Sequence, residues 1–301
     1  MIALKITCDG LEYTETASVP VLDGHFDVLV KVAYAGICRT DIGIAHHEIQ
    51  SKADIVSGHE FCGRIVAFNN GDAGYGDLRL DDVVSADPMS FGVGTETMCG
   101  KDCDGCFAEY VAVPHKAVIK LCPGLCTPLG AFLEPVAAAL APYKHIGSME
   151  ETVAVYGRSR IAELTYRVGV ALGFCNLTMV SGNELPANSY DAIIETEPDC
   201  LPRLVGALRH GGKLIVKSRS FRDTRLVPND IAMKEICIQG ARYGDFHHAR
   251  NLLADSANGN CDGVDFASIF GESYSLCDFA EAFEAASDIG AKKIFFKICA
   301  E

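Results

Sequence analysis

Cys38, His59 and Glu60 place a thiolate, an imidazole and a carboxylate inside the segment Gly36–Gly63. These are the three side-chain classes that hold zinc. Glycines flank both ends of the set, in Gly36-Ile37-Cys38 and Gly58-His59-Glu60, where they let the backbone turn tightly beside the ligand candidates. A hydroxyl and a second carboxylate, Thr40 and Asp41, follow the thiolate directly. A metal-activated alcohol needs such groups, one to relay a proton and one to support the ligands. A second constellation lies further on. The apolar run Thr152–Tyr156 leads into Gly157-Arg158-Ser159-Arg160-Ile161-Ala162. A glycine turn between a strand and a helix is the usual seat of a dinucleotide phosphate.

These residues need elements to hold them. The first third of the chain reads as short strands and turns: Asp27–Tyr34, Gly63–Phe68, Asp82–Ala86 and Ala108–Pro114. That rhythm predicts a small β-barrel-like domain. Around Leu129 the texture changes to the alanine-rich run Gly130–Leu140, which predicts a helix. Strands and helices then alternate. Strands are expected at 152–157, 176–180, 191–195 and 213–217, and helices at 161–172 and 201–209. Alternation of this kind predicts a parallel, doubly wound sheet. The tail adds a helix at 278–287 and a strand at 293–298.

Taken together, these segments resemble the zinc-type medium-chain alcohol dehydrogenases. The match rests on Gly36–Asp41, Gly58–Glu60, the strand Phe107–Pro114, Glu134-Pro135, the turn at Gly157 and a closing segment at Tyr274–Phe283, all in the family's order. The resemblance implies an α/β chain with a GroES-like β-barrel catalytic domain at 1–147, completed by about 273–301. A Rossmann domain would occupy 148–272. It further implies that Cys38 and His59 ligate a catalytic Zn2+, with Glu60 or Glu134 in the third protein position. Thr40 would pass a proton outward, and Asp41 would orient His59. The acidic residue at 134 resembles the polyol and threonine dehydrogenase branches. The implied reaction is zinc-assisted hydride transfer between a secondary alcohol, a polyol or amino-alcohol, and NAD or NADP. The implied partner is a small alcohol or ketone, and the implied assembly a homo-oligomer.

Three features depart from the family. Only Cys99, Cys103 and Cys106 fall where many relatives carry four structural-zinc cysteines, so no structural zinc is expected. Ser159 replaces the second glycine of the phosphate turn, although Gly157 and Ala162 keep the first and third positions and Arg158 and Arg160 add positive charge. After the strand ending at Val180, only Ser181–Tyr190 intervenes before the next strand. That is too short for a helix and a further strand. Ser181 and Gly182 stand where a ribose-binding acid is expected, and Glu184 follows in a loop. Ser218 closes a later strand at the cofactor edge. The alternative reading is therefore a zinc-binding relative that has lost dinucleotide binding and acts as a non-redox enzyme or binding protein.

Composition bounds the rest. A net charge of −14 argues against nucleic acid or an anionic membrane as partner. No apolar run reaches the roughly 18 residues that a membrane helix needs. The opening Met1–Asp9 reads as a strand into a turn rather than a signal peptide, so a cytoplasmic chain is expected, with most of its 14 cysteines as free thiols. There is no Gly-x-Ser-x-Gly elbow and no Walker sequence, which disfavours hydrolases and nucleoside triphosphatases.

Overall fold

The computed structural model describes residues 1–93, 96–182, 185–198, 201–219, 224–261, 263–288 and 290–299. The chain divides into two compact units, Met1–Glu134 with Ala267–Glu301, and Pro135–Phe266.

The first unit contains β1 (Ala3–Thr7), β2 (Gly10–Thr14), β3 (Val28–Gly36), α1 (Arg39–Ala45), β4 (Glu60–Phe68), β5 (Val83–Ala86), β6 (Tyr110–Val113), β7 (Val118–Lys120) and α2 (Pro128–Ala131). The helix α3 (Leu133–Leu140) begins here and runs into the second unit. The second unit continues with β8 (Val153–Tyr156), α4 (Arg160–Ala171), β9 (Leu177–Val180), β10 (Tyr190–Glu195), α5 (Leu201–Ala207), β11 (Leu208–Val216), α6 (Pro228–Lys234), β12 (Cys237–Gly240) and α7 (Phe246–Ala257). The tail returns to the first unit with β13 (Phe270–Tyr274), α8 (Phe279–Ser287) and β14 (Lys293–Lys297).

In the first unit the main sheet runs β13-β14-β3-β4-β5-β7, with β6 also paired to β3. Alternation in β3 turns Val28, Val30 and Val32 into the core and leaves Lys31 exposed, as a pleated strand with one buried face requires. Phe61, Phe107 and Phe296 complete that core. Gly63 is a glycine for a steric reason: a Cβ there would lie 2.2 Å from the Lys31 carbonyl oxygen, beside the register shift in the β3–β4 pair. The alanine-rich run is not one helix. It breaks at Phe132, whose ring packs edge-on against Phe270 at 4.9 Å. Burial of that aromatic side chain outweighs helix propensity over one residue.

The second unit carries a five-stranded, wholly parallel sheet of Rossmann type in the order β12-β11-β10-β8-β9. Ala154, Ile193, Leu204 and Leu214 form its core. The connection from β9 to β10 contains no helix and no strand among its described residues, in keeping with the short loop anticipated there. β9 consequently forms an edge of the sheet, with Met179 half exposed. One boundary differs from expectation. The helix predicted over 201–209 ends at Ala207, and β11 starts at Leu208. Tyr190 pairs with Leu208, and the register then shifts so that Ala192 pairs with Lys213. The intervening glycines act as a strand irregularity rather than a helix stop.

Candidate metal centre and phosphate turn

The metal-ligand candidates meet because three strand ends converge. Gly36, the last residue of β3, pairs with Glu60, the first of β4, and on its other side with Phe295 of β14. Cys38 leaves β3 just beyond Gly36, and His59 enters β4 just before Glu60. Ligand atoms of Cys38, His59 and Glu60 all lie within 4.8 Å of one another. His59 and Glu60 are buried, and Cys38 is partly exposed.

Asp41 ties the set together. It is fully buried in α1. Its Oδ2 accepts a hydrogen bond from the Cys38 backbone N–H at 2.8 Å, and its Oδ1 lies 3.2 Å from His59 Nδ1. An ionised carboxylate only accepts, so this contact selects the tautomer protonated at Nδ1. His59 Nε2 is then the ring position left to face a metal. It is buried and has no well-oriented hydrogen bond among the described residues. A buried ring nitrogen placed in this way beside a thiolate and a carboxylate fits a metal ligand. Burial opposes an imidazolium here, yet Asp41 and then Cys38 raise the proton affinity of His59 well above its ordinary value. A metal would therefore displace a proton on binding. The Thr40 hydroxyl sits 3.8 Å from Cys38 Sγ.

Glu134 does not join this three-residue cluster. It is 5 % exposed, and its negative charge acts on Glu60. Burial pushes the Glu60 carboxyl up to about 7, Lys293 pulls it down, and Glu134 adds to the rise. Lys293 is the functional residue that sequence reasoning passed over. It pairs with Glu60 and also donates to the Ile37 carbonyl at 2.9 Å. Its one signal was a cation at the mouth of the apolar strand Ile294-Phe295-Phe296, and the adjacent Lys292 carries the same signal.

The Cys99–Cys106 loop packs behind the metal strand. Cys99 Sγ lies 3.7 Å from the Gly58 carbonyl, and Cys106 Sγ 3.6 Å from the Glu60 carbonyl. Burial pushes both thiols well up, and that of Cys103 to about 12. The three thiols form no metal-type cluster among the described residues. His46, His47 and Glu48 are exposed at the end of α1.

In the second unit the turn after β8 is built on Gly157, at φ +145, where a Cβ would meet the Thr196 hydroxyl at 2.2 Å. Ala162 is fully buried and close to the same point, so its small side chain lets α4 approach the strand. Arg158 is exposed, Arg160 opens α4, and Ser159 is its N-cap residue. The Ser159 hydroxyl makes no hydrogen bond among the described residues. Ser181 is exposed just past β9, and Glu184 lies outside the described residues. Ser218 turns to a residue not singled out from sequence: its hydroxyl donates to Glu195 Oε2 at 2.9 Å. Burial raises the Glu195 carboxyl, against the Ser218 hydrogen bonds.

Comparison with known proteins places both units in a recurring fold. Residues 24–123 match the family described as the alcohol dehydrogenase GroES-like domain. An L-threonine 3-dehydrogenase of Edwardsiella ictaluri (strain 93-146) is 23% identical over 324 residues, covering 92% of this chain and 93% of its own. The crystal structure of galactitol-1-phosphate dehydrogenase from Escherichia coli superposes with a TM-score of 0.83 at 21% identity, covering 99% of this chain and 100% of the other. A short chain alcohol dehydrogenase from E. coli CFT073, complexed with NADH, superposes with a TM-score of 0.82 at 20% identity, covering 99% of both chains.

Proposed function

We propose that this chain, which belongs with the zinc-type medium-chain alcohol dehydrogenases, oxidises a secondary alcohol of the polyol or amino-alcohol class, with zinc as its metal and NAD or NADP as its hydride partner. One observation carries the reading: Cys38, His59 and Glu60 converge within 4.8 Å while His59 Nε2 is buried without a well-oriented hydrogen bond among the described residues. Cys38, His59 and either Glu60 or Glu134 would hold the ion. Bound there, zinc would supply Lewis acidity toward a substrate oxygen.

The chain's own residues do the remaining work. Asp41 holds the His59 ring in one orientation and fixes its tautomer through Nδ1. Thr40, beside Cys38, carries the substrate's hydroxyl proton outward. Lys293 sets the charge on Glu60, so that the pocket does not hold two unopposed buried carboxylates with Glu134. The acidic character at Glu134 supports the substrate class by analogy with relatives named for threonine and galactitol 1-phosphate.

A second reading is favoured by the second unit. β9 leads to β10 without a further helix or strand in the described residues, and the phosphate turn is engaged by a carboxylate of the chain itself. In that reading the metal centre persists and redox chemistry does not. The separating experiment measures metal content and nicotinamide absorbance on the same preparation, with polyols and amino-alcohols as substrates. About one zinc per chain, with NAD+ or NADP+ reduction that C38S abolishes, is the expected result. Full zinc loading with no reduction of either dinucleotide would sink the oxidoreductase reading.

A further inference from the structure

Two backbone donors just ahead of the first turn of α4 are already engaged. Arg158 N–H donates to Glu197 Oε1 at 2.5 Å, and Ser159 N–H donates to the same oxygen at 3.1 Å. Glu197 reaches them because β10 runs parallel to β8, with Glu195 paired to Tyr156 at their common carboxyl end. Beyond that pair, the Thr196 N–H and hydroxyl both donate to the Tyr156 carbonyl, at 3.0 and 2.8 Å. These bonds lock the exit from β10 against the turn. The φ of +145 at Gly157 and the absence of a Cβ there allow the close approach.

Two N–H groups that lead into a 12-residue helix, one of them on its N-cap residue Ser159, form an anion seat at the carboxyl edge of a parallel sheet. A carboxylate oxygen satisfies that seat by the chemistry a phosphate oxygen would use. A second acid stands behind it. Glu195 is fully buried, its Oε1 has no hydrogen bond among the described residues, and the charge of Glu197 acts on it. An arriving pyrophosphate would meet the Glu197 carboxylate on an occupied pair of donors, with the buried Glu195 adding to the local negative charge.

We propose that Glu197 is a resident anion in the phosphate seat of the second unit, and that a dinucleotide binds only by displacing it. The identity of the displacing ligand rests on the oxidoreductase reading; the occupied seat does not. Glu197 thereby sets the affinity of this chain for any phosphate ester at the turn.

The test titrates the zinc-loaded full chain with inorganic pyrophosphate, NADH and NADPH, comparing wild type with E197Q and E197G. Both variants are expected to bind pyrophosphate and at least one dinucleotide about tenfold more tightly or better, because the competing charge is gone. Affinities that are unchanged, weaker, or undetectable for pyrophosphate in all three proteins would overturn the proposal. A second measurement uses wild type alone and so does not depend on how the variants fold. Carbon-detected NMR follows the Glu197 carboxyl while pyrophosphate shifts the Arg158 and Ser159 amides. The carboxyl resonance is expected to move in step with the amides. Amide shifts with a stationary Glu197 carboxyl would overturn the proposal. Tighter pyrophosphate binding by the variants, with no NAD(P)+ reduction by any protein, keeps the seat and removes the oxidoreductase reading. Alcohol oxidation with affinities indifferent to Glu197 does the reverse.

Discussion

Lys293, the first residue of β14, pairs its ammonium with Glu60, the first residue of β4, although the two strands are separated in the sheet by β3. Lys293 is 4 % exposed and Glu60 1 %. Gly36 of β3 lies between them and is bare for that reason: a Cβ there would stand 2.9 Å from Lys293 Cε. The returning tail thus delivers the cation that balances the carboxylate beside the metal candidates.

That relationship yields a stability prediction. A buried ion pair contributes little on its own, but removing one partner strands a charge at a cost of about 3–5 kcal/mol. K293M is expected to lower the unfolding free energy of the metal-free protein on that scale, read by urea denaturation. Adding E60Q to K293M should recover much of the loss, since the stranded charge is removed with it. Additive losses in the double variant would argue against the pairing.

Asp41 would act on a bound metal through His59. D41N keeps the size of the side chain but no longer selects the Nδ1-protonated ring. Zinc affinity, measured by competition with a chelator, should fall about 10- to 100-fold. The fold should persist, because the amide oxygen can still accept from the Cys38 N–H.

Gly58 has both a positive φ of +91 and no room. A Cβ would approach the Phe107 ring to 2.3 Å. G58A is expected to cost about 2 kcal/mol or more, from overpacking and from the left-handed backbone together. A lowered thermal midpoint, accompanied by loss of bound zinc, would report that His59 has moved.

Asp191 supplies a pH dependence. Burial works against its charge, but the Thr152 N–H at 2.8 Å and the Arg209 guanidinium outweigh burial and hold the carboxyl below its usual range. A depressed folded pKa gives stability that is present above the unfolded value near 3.8 and lost as pH falls through the folded value. D191N should be less stable than wild type at neutral pH, on the order of 1 kcal/mol. The gap should close below about pH 3.8. Denaturant midpoints across the acid limb would read this directly.

Much of the candidate site was legible in the chain itself. Cys38, Thr40, Asp41, His59 and Glu60 stand close in sequence, and glycines mark the turns between them. The short Ser181–Tyr190 segment disclosed that no helix and further strand separate β9 from β10 among the described residues, because chain length limits what ten residues can build. The buried strands Val153–Tyr156 and Tyr190–Glu195 were visible as apolar runs.

Other features required the tertiary structure. In sequence Lys293 was one of two adjacent lysines, and only the register of β14 against β3 decided which one enters the core beside Glu60. Nothing in the sequence singled out Glu197; the parallel pairing of β10 with β8 carried it to the turn at Arg158 and Ser159. The start of β11 at Leu208 was hidden by Gly211 and Gly212, which look like a helix stop until a partner strand is present. Local sequence carries periodicity, turn chemistry and ligand type, since these depend on neighbours along the chain. The partner that a buried charge finds depends on which strands lie side by side, and that is decided by packing of the whole sheet.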